Sequence, residues 1–128
     1  MKTTKAHFKL FDKHVSKWAE VFKLSAQWKI FTSHVELNDQ DSLAETTCDY
    51  PAKTATMFLN KIWANTEVTE RELDETAFHE ILEIILDKMD SMAKLSCIGD
   101  VVDTARHGVI QTFTSTIFDP LYQEKEKD

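Results

Sequence analysis

The sequence predicts a small α+β fold, and three observations indicate it. Two segments, one near the start and one after residue 69, carry apolar residues at the three- and four-residue spacing of amphipathic helices. A segment between them alternates apolar and polar residues, as a half-buried strand does. Gly and Pro number only two each, which leaves few residues for tight turns and argues against an all-β sandwich or barrel. At 128 residues, the chain is expected to form one domain over residues 1–128.

Residues 1–27 predict an N-terminal helix with an aromatic face. Its apolar positions recur every three or four residues: Phe8, Phe11, Val15, Trp18 and Phe22. Lysines repeat every four residues on another face: Lys5, Lys9, Lys13 and Lys17. A lysine stripe opposite a core face is typical of a solvated surface. We favour that interpretation over a nucleic-acid-binding or partner-binding face.

Residues 28–61 predict a three-stranded antiparallel sheet. The first strand is expected from Trp28 to about Leu37, where β-branched and aromatic residues concentrate. The second is expected over about residues 43–49 and the third over about 54–60, with one apolar face formed by Ala55, Met57 and Leu59. Turn-prone segments separate consecutive strands, so the three strands are expected to form a meander.

Residues 69–118 predict a pair of helices. Thr69 and Glu72 form a T-x-x-E capping box, so the first helix should begin near Glu70. Its apolar face is expected to comprise Leu73, Ala77, Ile81, Ile84 and Met89. Irregular structure is expected between about residues 90 and 99, and a second helix from about 100 to 118. Asp119-Pro120 is expected to close that helix and leave residues 119–128 as a polar tail.

The net charge of −7 is distributed unevenly along the chain. Residues 1–29 hold seven Lys and two acidic residues, a net charge of +5, whereas residues 30–128 carry −12. An acidic body argues against nucleic-acid binding over most of the surface. No apolar run approaches the roughly 20 residues of a membrane span, and the basic start lacks the apolar stretch of a secretory signal. Cys48 and Cys97 are expected to be reduced thiols of a cytoplasmic protein.

The strongest chemical signal is the sequence His79-Glu80-x-x-Glu83 on the first helix of the pair. His79 and Glu83 are four residues apart, so both side chains lie on one helix face and can reach one divalent ion. Glu80 is rotated by about 100° around the helix axis, which places it beside a metal-bound water rather than on the metal. In H-E-x-x-H metallopeptidases two His hold zinc and the Glu acts as general base. Here Glu83 takes the second His position. A His–Glu pair at this spacing is also common on ordinary polar helix surfaces.

The residues around this motif carry a wider resemblance. The run begins with the alternating segment 54–61 and continues through Trp63 and the capped acidic helix start. It ends with Thr-Ala-Phe-His-Glu-Ile-Leu-Glu-Ile-Ile-Leu at 76–86. This run resembles a family of small phage and prophage proteins described as zincin-like metallopeptidases. The resemblance covers roughly residues 28–118 and implies a minimal zincin-like fold. It also implies the cytoplasm of a phage host as the location.

The resemblance implies a metal held by His79, Glu83 and His107, with a water in the fourth position that Glu80 activates. It implies zinc, and the same ligand set would also suit iron or manganese. Because Glu83 replaces a neutral His, the net positive charge at the metal falls and weak hydrolysis is expected.

Several other residues lie at positions from which they could take part in this site. Asp103 lies four residues before His107 and could orient its ring, although an ordinary acid of the first helical turns is the favoured interpretation. Asp87 lies one turn past Glu83 and is a fallback ligand. The remaining histidines have no partner at ligand spacing, and no role is predicted for His7, His14 and His34.

Two functions of different classes follow from these patterns. The first is a metal-dependent hydrolase, a peptidase whose substrate lies along the strand near Thr54 to Leu59 as an added strand. The alternative is a non-catalytic module that binds a host or phage protein on a degenerate zincin scaffold. A nucleic-acid accessory role for the N-terminal lysines is a third and weaker hypothesis.

Overall fold

The computed structural model describes residues 1–94 and 99–127 and shows an α+β fold. In chain order the elements are α1 (Lys5–Val21), a short 3₁₀ helix (Leu24–Ala26), β1 (Lys29–Val35), β2 (Ala44–Asp49), β3 (Thr54–Asn60), α2 (Glu70–Lys94), α3 (Gly99–Phe113), a π-helical turn (Thr114–Phe118) and α4 (Asp119–Lys127). The chain divides into two compact units, the first from Met1 to Ile84 and the second beginning at Ile85. Among the described residues, no helix combines the length and the apolar character that crossing a membrane requires.

The sheet is mixed, so the predicted antiparallel meander is wrong. β3 is the central strand and pairs parallel with β1 and antiparallel with β2. Residues 36–43 carry the chain across the end of β3, so that β2 begins roughly 10 Å from β1, two strand spacings away. Alternation along a strand reports which face each residue occupies, and it does not report which strand lies alongside. The error therefore concerns pairing, whereas the predicted positions of the strands are close to those observed.

Asn60 holds the crossing connection in place at the end of β3. Its side-chain oxygen accepts hydrogen bonds from the backbone N–H groups of Leu37 at 3.2 Å and Ile62 at 3.1 Å. Its amide nitrogen donates to the carbonyl oxygen of Ser42 at 2.8 Å. Because Asn60 is only 1% exposed, these bonds satisfy a polar group that would otherwise destabilise the fold.

One face of the sheet packs against α1 and α2. The Thr32 hydroxyl of β1 donates to the Asp12 carboxylate of α1 at 2.6 Å, and the Thr46 hydroxyl of β2 donates to Glu80 of α2. The central strand alternates as predicted, and its inward residues are almost completely buried: Ala55, Met57 and Leu59. The first unit is therefore a two-layer structure with both helices on one side of the sheet.

The start of α2 is joined to α1 through a buried carboxylate, Asp74. One of its oxygens accepts hydrogen bonds from the indole N–H of Trp18 at 2.6 Å and the ammonium of Lys17 at 2.8 Å. The Nδ1 atom of His14, which is buried, lies 3.4 Å from the same oxygen. Lys17 is thus part of an inter-helix contact. The other members of its stripe are exposed as predicted: Lys5, Lys9 and Lys13.

The helix α2 begins as predicted and ends later than predicted. The backbone N–H of Glu72 donates to the Thr69 hydroxyl at 3.1 Å, as a capping box requires. The helix continues to Lys94, so the irregular structure predicted from residue 90 is wrong as far as residue 94. Residues 95–98, including Cys97, lie outside the described part of the chain. The predicted apolar face is buried through Ile84, but Met89 is 69% exposed and is not a core residue.

The second unit is helical. α3 continues through the π-helical turn into α4, so the predicted closure at Pro120 and the polar tail are wrong. Pro120 is the second residue of α4 and directly follows the π-helical turn, at whose end the backbone N–H of Asp119 donates to the carbonyl oxygen of Thr114, five residues earlier. Within this unit, the Arg106 guanidinium lies 3.6 Å from Asp90 of α2 and 3.6 Å from Asp103 of α3. This ion pair joins α3 to the last part of α2.

Candidate metal centre

His79 and Glu83 lie one turn apart on α2, as predicted, and their polar atoms meet. The Nε2 atom of His79 is 3.2 Å from Oε1 of Glu83. Two ligands of a tetrahedral zinc ion, each at 2.0–2.1 Å from the metal, lie about 3.3 Å from one another. The donor atoms therefore have the spacing of two ligands to one ion. The same distance suits a hydrogen bond from the imidazole to the carboxylate, which is the form that the pair takes without an ion.

Glu80 reaches towards the sheet. It is only 6% exposed, and its Oε2 atom accepts a hydrogen bond from the Thr46 hydroxyl at 2.5 Å. Burial raises the pKa of Glu80 to about 7, because desolvation penalises the charged carboxylate. The Thr46 hydrogen bond and His79 oppose this rise in pKa, whereas the nearby carboxylates of Glu83 and Glu45 add to it. A carboxyl group that titrates near neutral pH is suited to accept and release a proton.

A cavity of about 280 Å³ lies beside Glu80, within the first unit. It opens between the start of β2 and the first half of α2. The β2 side contributes Ser42, Leu43 and Ala44, and the α2 side contributes Glu72, Glu75, Thr76, His79 and Glu80. The buried carboxylate and one of the candidate metal ligands thus share a cavity wall, and a small polar molecule in the cavity can contact both.

His107 belongs to the second unit and is exposed on α3. Its Nδ1 atom lies 2.8 Å from the backbone carbonyl oxygen of Asp103. A carbonyl oxygen only accepts hydrogen bonds, so Nδ1 carries the proton and Nε2 holds the lone pair. Metal-binding histidines are commonly oriented in this way. The carboxylate of Asp103 lies 3.6 Å from Arg106, and it is the backbone carbonyl of Asp103 that contacts the His107 ring. The fallback ligand Asp87 is half-buried in the second unit.

The three other histidines have roles that no sequence pattern predicted. His14 lies between the carboxylates of Asp74 and Glu70, at 3.4 and 3.7 Å. The Thr3 hydroxyl donates to the carbonyl oxygen of Asn60, so it accepts a hydrogen bond from His34 Nε2 at 2.7 Å. His7 accepts a hydrogen bond from the Thr4 backbone and caps α1. No spacing in the sequence could indicate the roles of His14 and His34, because their partners come from distant segments.

Burial, followed by the positive charge of Lys61 and an electrostatic interaction with His7, holds the pKa of His34 below its usual value. His34 is therefore suited to a structural role as a neutral hydrogen-bond donor. His14 and His34 contribute to packing in the first unit, and of the five histidines only His79 and His107 stay candidates for metal binding.

No protein-family model, curated protein or solved structure matches this chain. The case for a function therefore depends on the residues themselves. Within the first unit these are His79, Glu80 and Glu83, and His79 and Glu80 also line the cavity.

Proposed function

We propose that this protein is a metal-dependent hydrolase of peptides with a zincin-like site on α2. The observation that carries the proposal is the position of Glu80. It is a buried carboxylate on a cavity wall, and it directly follows His79, whose Nε2 lies 3.2 Å from the Glu83 carboxylate. Two metal-binding side chains on one helix face, with a carboxylate rotated towards a cavity, have the arrangement that metal-assisted hydrolysis needs.

His79 and Glu83 would hold the ion, and His107 is the third ligand that the sequence resemblance implies. Two imidazoles and one carboxylate form a ligand set of catalytic zinc sites, and the set would also suit iron or manganese. When bound, a divalent ion supplies Lewis acidity that polarises a carbonyl group and lowers the pKa of a coordinated water. The Glu83 carboxylate reduces the positive charge that the site presents, so modest hydrolytic rates are expected.

Glu80 would carry the proton between water and the leaving amine. Burial raises the pKa of Glu80 above that of an ordinary carboxyl, which favours a group that can take up a proton and then release it. Thr46 fixes one carboxylate oxygen from the neighbouring strand. This hydrogen bond restricts the rotation of the side chain, which keeps the second oxygen in a defined position.

The substrate would lie along β2 and not along β3. β3 is paired on both sides and has no open edge, so the predicted addition of a strand at Thr54 to Leu59 is wrong. β2 is an edge strand, and the Leu43 carbonyl at its start accepts a hydrogen bond from Asn60. Along a strand of an antiparallel pair, residues whose backbone groups bond the neighbouring strand alternate with residues whose backbone groups point away from it. Because Leu43 bonds β3, the residues of β2 whose backbone groups point away from β3 are Ala44, Thr46 and Cys48. A peptide that adds to this edge would pass the cavity beside Glu80.

The variant Glu80→Gln tests the proposal. Zinc-loaded protein is incubated with a peptide library, and new termini are measured by mass spectrometry. Removal of a general base is expected to lower the rate by about 100-fold or more, while the zinc content stays at the wild-type value. Glu36→Gln is the matched control, because Glu36 is an exposed carboxylate outside the cavity lining and its variant should retain activity.

Equal hydrolysis by wild type and Glu80→Gln would contradict the role of Glu80. Zinc-loaded wild type that binds peptides but releases no new termini would contradict the hydrolase proposal and support the non-catalytic binding module.

A further inference from the structure

Within the described part of the chain, the sheet of the first unit has a second face that the helices of that unit leave uncovered. Both helices pack on the face that carries Met57, so the alternate residues of each strand point to the other side. Ten of these outward residues are exposed or half-buried: Lys29, Phe31, Ser33 and Val35 of β1, Glu45, Thr47 and Asp49 of β2, and Thr54, Thr56 and Phe58 of β3.

Two aromatic rings lie in the middle of this outward face. Phe31 pairs with Thr56 in the parallel register and Phe58 pairs with Ser33, so the two rings are diagonal neighbours on adjacent strands. Diagonal neighbours lie roughly 7–8 Å apart, within reach of aromatic side chains. Phe31 is 55% exposed. Apolar surface of this kind, surrounded by polar residues, is typical of a face that another protein covers.

Opposite charges lie at the two edges of the same end of this face. Thr54 of the central strand pairs with Lys29 on one side and with Asp49 on the other, so Lys29 and Asp49 are level along the strands. They are two strand spacings apart, roughly 10 Å. Both are exposed, and among the described residues no ion pair joins them. A second copy, turned by 180° about an axis parallel to β3 and placed face to face, would put Lys29 of each copy over Asp49 of the other.

We propose that this face is a homodimer interface in which two sheets pack face to face around that axis. Packed sheets commonly keep their strands within about 30° of each other, as this arrangement does. The register places Phe58 of the two copies close to the axis, where the rings can pack together. Phe31 of each copy then lies over Thr47 of the other. Glu45 of each copy lies over Ser33 of the other, whose hydroxyl can donate to the carboxylate.

The charges also select this orientation over its antiparallel alternative. With the twofold axis across the strands, β2 would lie over β2, and Glu45 of one copy would meet Asp49 of the other. Like charges directly opposite one another are destabilising. A second copy in the parallel orientation is therefore the occupant that complements the face.

The size of the face sets the expected affinity. It measures roughly 14 Å across three strands and roughly 23 Å along seven residues, or about 320 Å² per copy. A stable interface buries about 800 Å² per partner, so a weak, reversible dimer with a Kd on the order of 100 µM is expected. The cavity beside Glu80 lies between β2 and α2, on the other side of the sheet, and takes no part in this interface.

Sedimentation equilibrium of the full chain tests the inference, over about 10 µM to about 1 mM protein and at about 0.15 M salt, which screens the net charge of each copy. With rising concentration the wild type should increase from the mass of one chain, 14.8 kDa, towards twice that mass. Phe31→Thr removes two rings from each interface and should weaken association by about 30-fold or more. Val21→Thr is the matched control, because Val21 is 52% exposed but lies on α1.

Two charge variants test the orientation. Lys29→Glu alone, or Asp49→Lys alone, places like charges at both charged contacts and should weaken association by at least about tenfold. An equimolar mixture of the two variants restores both opposite-charge contacts and should associate as tightly as wild type. Lys9→Glu, at an exposed position of α1, controls for the change in net charge. Asp49 also accepts a hydrogen bond from the Ala52 backbone at 3.3 Å, so circular dichroism must show that each variant is folded.

Wild type that stays monomeric at about 1 mM would overturn the inference and leave the face to a protein of different sequence. Association that Phe31→Thr leaves unchanged would overturn it by placing the contact elsewhere, for example at the open edge of β1. Folded charge variants whose mixture associates no better than either one alone would overturn the proposed arrangement.

Discussion

The two compact units differ in how they use their apolar residues. Among the described residues, sixteen of the eighteen buried apolar side chains belong to the first unit, and the second contributes only Ile110 and Phe118. The exposed large apolar residues show the opposite distribution, since six of nine lie in the second unit. The second unit therefore gains less hydrophobic stabilisation, and its helices are expected to open more readily than the core of the first.

This difference matters because α2 belongs to both units. His79, Glu80 and Glu83 lie in the half of α2 that belongs to the first unit, where Glu80 is buried and hydrogen-bonded to Thr46. The geometry of a preorganised base and ligand pair should depend little on the rest of α2. His107 lies in the second unit. The part of the proposed site that is formed by His79, Glu80 and Glu83 lies within the first unit alone.

Two substitutions on one face of α2, one in each unit, should show the largest difference in their effects on the free energy of unfolding. Leu82 and Met89 are seven residues apart, which is about two turns, yet Leu82 is 0% and Met89 69% exposed. Leu82→Ala is expected to lower the free energy of unfolding by about 3 kcal/mol because it leaves a cavity. Met89→Ala should change it by less than about 0.5 kcal/mol. Urea unfolding followed by circular dichroism measures both, and equal effects would contradict the comparison.

The buried Glu80 carboxyl should make the stability of the first unit depend on pH. Its pKa is about 7 in the folded protein and 4.5 in a model compound, so the folded state binds the proton more tightly. The tighter proton binding of the folded state contributes fully to the free energy of unfolding below pH 4.5, and this contribution is lost as the pH rises through 7. At about 1.4 kcal/mol per pKa unit, the loss amounts to roughly 3 kcal/mol.

Comparison with Glu80→Gln isolates this effect, with chelator present throughout. The variant should gain stability relative to wild type between pH 5 and pH 8. A difference between the two proteins that stays constant over this range would show that Glu80 is not desolvated as described.

Removal of the ion pair in the second unit is expected to have a smaller effect on the free energy of unfolding. The Asp90 carboxylate, with 8% of its side chain exposed, lies 3.6 Å from Arg106. Arg106→Ala leaves this charge without that partner and should cost about 2 kcal/mol, less than for a fully buried pair. Hydrogen exchange should report faster opening of α3, with exchange in residues 70–84 unchanged. Equal acceleration in both units would indicate that they unfold together.

Local sequence signals predicted the elements that depend on neighbouring residues. The capping box of Thr69 and Glu72 placed the start of α2, and the alternation around Met57 placed β3. The spacing of His79 and Glu83 also predicted that their side chains meet. Each of these features is decided within a few residues.

The features that were missed depend on distant partners. The parallel pairing of β1 with β3 depends on where the chain crosses, and Asn60 stabilises that crossing through bonds to residues 18 and 23 positions away. The burial of His14 depends on Asp74, 60 residues later. The exposure of Met89 was missed for a related reason, because periodicity indicates an apolar face without showing whether anything covers it.

The most direct test of the central claim is the zinc content of the protein. Wild type, His79→Ala and His7→Ala are purified without an affinity tag, exposed to zinc, dialysed and measured by elemental analysis. His7 is the control, because it caps α1 and takes no part in the proposed site. The proposal predicts about one zinc per chain in wild type and in His7→Ala, and none in His79→Ala. Absence of zinc from wild type, or equal zinc in all three proteins, would contradict a metal site at His79 and Glu83.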